Sequence, residues 1–201
     1  MFGFRDKADG DKAKLRKEMR VLRRHLADET PEASRRAALK LPVSRFARFS
    51  IIGAYYVQGS ELDPGPILAA ILELGEGRIQ AALPVAAAKN APLKFRLWRQ
   101  DLPLVPDAYG IPSPPQSAPE VLPNLLLTPV LAFDRQGGRL GQGGGHYDRT
   151  LAILRKQRPV FVLGLAFADQ EVDEVPMGPH DQRLDAIVTE TAYIEVAKKA
   201  P

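Results

Sequence analysis

The chain has 201 residues, 45% of them hydrophobic and 26% charged, with a formal net charge of +4. That length suits one well-buried domain spanning residues 1–201, and the mixture is that of an ordinary globular protein rather than a disordered one. The absence of cysteine excludes a disulfide framework and thiolate metal sites, and histidines at 25, 146 and 180 form no imidazole cluster for zinc.

No apolar run reaches the roughly 18 residues of a membrane span. The N-terminus, MFGFRDKADGDKAKLRK, has no apolar signal core and contains acids that a mitochondrial presequence avoids, so a cytoplasmic location is expected. The basic excess tolerates an anionic partner without choosing between nucleic acid and phosphorylated metabolites.

Basic residues crowd Lys12 to Arg24, where Leu15, Met19, Leu22 and Leu26 recur at spacings of four, three and four. This is the apolar stripe of an amphipathic helix over about residues 12–26, with a cationic opposite face. Two readings fit that face: a solvated helix docked on the domain, or a platform from which Lys12 and Arg16, one turn apart, reach an anion together. FSIIGAYY, Phe49 to Tyr56, is β-branched and aromatic and predicts a buried strand. In the following VQGSELDPGPILAAILELG, Asp63 caps a helix that Pro64 opens and Gly75 ends, which leaves Glu61 in the strand-to-helix loop.

Further strands are predicted at IQAAL before Pro84, KFRLW (94–98), LLLTPV (125–130), VFVLGLAF (160–167) and DAIVT (185–189). A helix is predicted from about Tyr147 to Lys156, with Tyr147, Leu151 and Leu154 on one face. Strands alternating with helices give an α/β chain: a mostly parallel sheet covered on both sides. Between Asp101 and Asn124 the proline-rich DLPLVPDAYGIPSPPQSAPEVLPN excludes interior helix and central strand, so a long surface connection is predicted, either a plain linker or a cover over a site.

The segment GGRLGQGGGHYDR, Gly137 to Arg149, follows a strand and precedes a helix. In an open α/β sheet that is where ligands sit, and glycines let backbone N–H groups approach an anion beside a helix N-terminus. A Walker A loop starting at Gly138 requires Lys and then Ser or Thr after Gly143, where this chain has Gly144 and Gly145. A dinucleotide fingerprint on Gly141 and Gly143 requires a small residue where His146 stands.

LTPVLAFDRQGGRLGQGGGHYDR resembles the signature of the 5-formyltetrahydrofolate cyclo-ligase (methenyltetrahydrofolate synthetase) family. KAKLRKEMRVLRRHL, YYVQGSELDP, the ALP at residues 82–84 and VPMGPHDQRLDAIVTE fall in the family's order, so the resemblance runs from about Lys12 to Thr189. It implies a three-layer αβα, Rossmann-like fold of the NagB/RpiA/CoA transferase type. It also implies an ATP- and Mg-dependent conversion of 5-formyltetrahydrofolate to 5,10-methenyltetrahydrofolate, with release of ADP and phosphate. Phosphorylating the formyl oxygen makes phosphate the leaving group when N10 attacks. Holding two substrates in line and neutralising phosphate charge then matter more than a nucleophilic side chain.

By the same resemblance, Lys12 and Arg16 contact ATP phosphates. Arg139, Leu140, Gly141, Gln142, Gly143, Gly144, Gly145, His146 and Tyr147 form the ATP loop, with Arg139 and Tyr147 as catalytic positions. Gln142 to His146 also border the folate, beside Tyr56 and Glu61, whose carboxylate pairs with pterin donors, and Trp98 is expected as an aromatic wall. Asp148 and Asp181 are expected as carboxylate ligands of Mg.

The chain departs from family patterns at His146, which replaces the first tyrosine of a Tyr-Tyr-Asp form, at Gly144, a lysine in some members, and at Ser113, where an acid is common. The implied partners are ATP and 5-formyltetrahydrofolate, with or without a polyglutamate tail. Neither nucleic acid nor membrane is expected, and the chain is expected as a monomer or weak homodimer. The competing readings are another ATP-dependent ligase of this architecture and a non-catalytic nucleotide- or RNA-binding module, which would lack the aromatic interleaving of a single-strand platform.

Overall fold

In chain order the computed structural model, which describes residues 3–197, contains α1 (Gly3–Glu29), α2 (Ala33–Lys40), β1 (Ile51–Gly53), α3 (Gly65–Leu74), β2 (Gln80–Val85) and β3 (Lys94–Trp98). There follow β4 (Val105–Pro106), β5 (Pro112–Ser113), β6 (Glu120–Val121), β7 (Leu125–Pro129), β8 (Ala132–Phe133) and β9 (Arg139–Leu140). The chain continues with α4 (His146–Gln157), β10 (Phe161–Leu165), β11 (Ala186–Val188) and β12 (Tyr193–Glu195).

Eight strands form one sheet in the order β12-β11-β10-β7-β1-β2-β3-β6. The five from β11 to β2 are parallel, while β12 at one end and β3 and β6 at the other run antiparallel to their neighbours.

Strand alternation builds the two cores. Leu125, Leu127, Leu163, Leu165, Ala186 and Val188 face one layer with Leu26 of α1, Ala33 and Ala37 of α2, and Ile67, Leu68 and Ile71 of α3. The residues between them, Leu126, Val162 and Ile187, face the other layer with Leu151 and Leu154 of α4. Because both faces are covered, these strands are apolar at consecutive positions, and the three-layer αβα architecture follows.

The topology also locates a crevice. From β1 the chain moves through α3 to β2 on one side, and from β7 through α4 to β10 on the other. Between adjacent β1 and β7 the winding direction reverses, and ligands bind beyond the carboxyl ends of strands at such a point. Residues 54–61 leave β1 there, and Val130 and Leu131 leave β7.

Several predicted boundaries shift. The basic helix begins at Gly3 rather than near residue 12; the upstream segment GFRDKADGD carries no apolar stripe by which the pattern could mark it as helix. The strand read at 49–56 shrinks to Ile51–Gly53; Ala54 still donates to Ala82 O at 2.9 Å, and then the chain turns into the crevice. The proline-rich stretch does run over the surface, but it carries β4, β5 and β6, and β6 extends the sheet as an edge strand, where proline neighbours are tolerated. No described helix is long and apolar enough to cross a membrane.

Candidate active site

A cavity of about 530 Å³ opens at the crevice. One wall is the glycine segment, whose two halves have different structures. Gly137 and Gly138 close the β8–β9 hairpin: Asp134 Oδ1 accepts from the Gln136 and Gly138 amides at 2.9 and 2.7 Å, and Gly137 has φ +81°. This turn is structural, since Asp134 is buried and its other oxygen accepts from Val175 N at 2.8 Å. Gly141 to Gly145 form the loop proper, with Gly143 at φ +104° and Gly145 at +63°, the latter capping α4. Left-handed backbone at both positions suits glycine.

Arg139 leaves the hairpin with its side chain only 3% exposed, and Nη2 donates to Asp148 Oδ1 at 2.8 Å. The same oxygen accepts from Gln182 N at 3.0 Å. The Arg139 guanidinium lies 5.6 Å from the Tyr147 ring centroid, while its buried Nε has no acceptor among the described residues. Burial pushes the Tyr147 hydroxyl well above its ordinary value of 10, with the Glu61 charge adding to the effect and Arg139 opposing it. Tyr147 therefore stays a neutral O–H donor.

Helix α1 closes the cavity from the side. Lys12 pairs with Asp181, which also accepts from Gly178 N at 2.6 Å, and Arg16 Nε donates to Gly141 O at 3.0 Å. Two turns beyond Arg16, Arg23 is buried, donates to Ser60 Oγ at 3.2 Å and lies 3.7 Å from Glu61. The Glu61 side chain is 6% exposed, and its Oε2 accepts from Gln58 N at 3.0 Å. Burial raises its carboxyl above the ordinary 4.5, opposed by the Gln58 amide and the Arg23 charge. The loop carrying Glu61 is braced from within by Tyr55, whose buried hydroxyl donates to Leu62 O.

Of the residues expected in the site, Lys12, Arg16, Tyr56, Glu61, Arg139, Leu140, Gly141 to Asp148 and Asp181 all line this one cavity. Trp98 does not. It lies on β3 opposite Ala81, lines a separate groove beside α3 and packs against the core layer containing α1 to α3, so the expectation of a folate wall at Trp98 is corrected. The physical reason is topological: KFRLW folds back antiparallel beyond β2, carrying its last residue away from the carboxyl end of the sheet.

The cavity also holds residues the sequence reading did not select. Arg23 carried a signal, being seven residues after Arg16 on the same helix face. Asp107, Tyr109 and Ile111 had none, because proline composition marks a connection without saying where it runs. Asp107 anchors that stretch: Oδ1 accepts from the Tyr109 and Ile111 amides at 2.8 and 3.0 Å, and Oδ2 from Ala86 N at 3.1 Å. Tyr109 thereby meets the ring of His146 edge-on, centroids 5.6 Å apart, and His146 Nδ1 donates to Ala91 O at 2.8 Å. A carbonyl can only accept, so the contact sets the proton on Nδ1 when the ring is neutral.

With this geometry in view, residues 8–190 match the 5-formyltetrahydrofolate cyclo-ligase family. The chain belongs to that family. The 5-formyltetrahydrofolate cyclo-ligase of Mycolicibacterium smegmatis is 37% identical over 149 residues, covering 68% of this chain and 71% of that one. The cyclo-ligase of Escherichia coli K12 is 36% identical over 135 residues, or 64% and 71% of the two chains. In structure, the chain is similar to the 5,10-methenyltetrahydrofolate synthetase of Aquifex aeolicus, with a TM-score of 0.76 at 24% identity over 94% of this chain and 95% of the other. The cyclo-ligase fold is thus shared at low identity, and its carboxyl-edge crevice is where this chain gathers its buried charges.

Proposed function

We propose that the cavity couples ATP to the ring closure of 5-formyltetrahydrofolate to 5,10-methenyltetrahydrofolate, the activity this chain carries as a member of its family. One observation carries the ATP part of the reading. The N–H groups of Gln142 to His146 donate to no acceptor among the described residues, and they adjoin the N-terminus of α4 and the unpaired Nε of Arg139. Consecutive free amides at a helix start, beside a buried guanidinium, favour a polyphosphate.

In the proposed reaction the formyl oxygen attacks the γ-phosphorus and ADP departs. N10 then attacks the formyl carbon, phosphate leaves with the C–O bonding electrons, and N10 loses its proton. Arg139 and the loop amides stabilise charge on the transferring group, and Tyr147 adds a neutral donor. Lys12 and Arg16 meet the remaining phosphates, and Glu61 and Tyr56 hold the pterin end.

The carboxylates fit a magnesium ion. Asp148 Oδ2 and Asp181 Oδ1 accept no hydrogen bond among the described residues, although the other oxygen of each is engaged. Two hard oxygens from the protein, the balance coming from phosphate and water, are what Mg accepts, and no cluster of three or more acidic or histidine side chains is present among the described residues. When bound, the ion would neutralise phosphate charge, while Arg139 and Lys12 fix the two carboxylates.

Among the exposed large apolar side chains, Val21, Leu39 and Ile153 stand on three different helices, which supports a monomer or weak homodimer, while Leu102, Val105, Tyr109 and Leu122 belong to the proline-rich connection. The cysteine-free composition supports a cytoplasmic location. Basic side chains on the exposed face of α1 support acceptance of polyglutamylated folate.

The reading predicts that purified protein with 5-formyltetrahydrofolate, ATP and Mg develops the near-ultraviolet absorption of the methenyl product, with one ADP formed per ring closed. A folded sample showing no absorption change across a range of ATP and Mg would refute it. Lys12→Ala and Arg16→Ala are each expected to raise the apparent KM for ATP by roughly tenfold, the scale of one charge-assisted contact, with a smaller change for the folate. Equal changes for both substrates would assign the pair to structure alone.

A further inference from the structure

The loop from Gly141 to Gly145 contains no charged side chain, yet three arginines from two helices hold it by its carbonyls. Arg16 Nε donates to Gly141 O at 3.0 Å. Arg20 donates twice to Gln142, from Nε to the side-chain oxygen at 2.9 Å and from Nη2 to the main-chain oxygen at 3.1 Å. Arg149 Nη2 donates to Gly144 O, and its Nε is buried without an acceptor among the described residues. Arg20 and Arg149 do not line the cavity; they hold the loop from behind.

In a trans peptide the C=O of one residue and the N–H of the next point in opposite directions. Fixing the carbonyls of Gly141, Gln142 and Gly144 on arginines therefore turns the amides of Gln142, Gly143 and Gly145 away from those arginines. A guanidinium on a carbonyl also polarises its peptide unit and makes the N–H on its far side a stronger donor. Charge thus reaches the anion through the backbone.

We infer that Arg20 and Arg149 are positioning residues that hold the loop carbonyls outward and so present its amides to the phosphates of ATP. The inference rests on the ATP reading above and extends it to two side chains outside the cavity.

The test is steady-state kinetics of Arg20→Met, Arg149→Met, Arg20→Lys and Arg149→Lys beside the wild type, with thermal melting of each. The methionine variants are expected to raise the apparent KM for ATP about fivefold to tenfold, leaving the folate KM within about twofold. The lysine variants, which keep a cationic donor, are expected to recover part of the loss. If the buried Nε makes Arg149→Met unstable, Arg20→Met, a change on an exposed side chain, carries the test with its lysine counterpart.

ATP constants that do not move, or that move in step with those of the folate, would overturn the inference while ATP-dependent wild-type turnover left the functional reading standing. A wild type that closes the ring without ATP would remove both.

Discussion

Asp148→Asn is expected to lower turnover by roughly a hundredfold or more, the scale on which losing one preorganised electrostatic partner falls. The substitution keeps size and a carbonyl oxygen, so the amide of Gln182 and the guanidinium of Arg139 retain an acceptor and the fold should survive. What disappears is the negative charge that makes the free Oδ2 a ligand for a hard cation. The loss should be deepest at limiting Mg and partly relieved as Mg is raised. Unchanged melting with wild-type rates at limiting Mg would remove Asp148 from the metal site.

Glu61→Gln is expected to weaken binding of 5-formyltetrahydrofolate by about a hundredfold, because an amide nitrogen faces pterin donors where a carboxylate oxygen did, and hydrogen bonds to charged groups contribute about 1.5–3 kcal/mol each. Binding of ATP should be unchanged. The same carboxylate gives the protein a pH signature. Burial raises its folded-state pKa above 4.5, so on acidification from neutrality Glu61 protonates before an ordinary glutamate would.

Folate affinity should therefore be full above the raised value and fall as pH drops through it, and this fall should be missing in Glu61→Gln. For stability the sign is opposite. The folded state holds the proton more tightly than the unfolded chain, so this group opposes folding at neutral pH and the opposition fades on acidification. Folate titrations at several pH values, with and without the substitution, check the first expectation, and melting of both proteins at the same pH values checks the second. A wild-type affinity flat down to the ordinary glutamate range would contradict the first, and a stability difference that does not change with pH the second.

The parallel core was legible because buried strands such as LLLTP and FVLGL are apolar on both faces, and because Pro64 and Gly75 punctuate α3. The antiparallel orientation of β3 was not, since periodicity carries no direction, and this is what displaced Trp98 from the site. In the glycine segment the sequence could not separate Gly137, which turns a hairpin, from Gly143, which shapes a loop; both have positive φ, and only their neighbours differ. Arg23 and Glu61 were readable separately as a basic helix position and a loop acid. Their contact depends on a separation of 38 positions in sequence that local pattern does not span.

The His146 ring, pinned to Ala91, has a consequence for how this sequence can drift. A Cβ added at Gly144 would lie 2.8 Å from His146 Cδ2, so any side chain at 144 displaces the ring and with it the bond to residue 91. Lysine at 144 and histidine at 146 in its present pose are thus mutually exclusive, and the two positions are epistatic. A mutational path from this loop to a lysine-bearing one must change residue 146 first or pass through a strained intermediate. Gly143 and Gly145, whose backbones are left-handed, are closed to L side chains for a different reason, so position 142 is the loop site most open to acquiring a charge without that coupling.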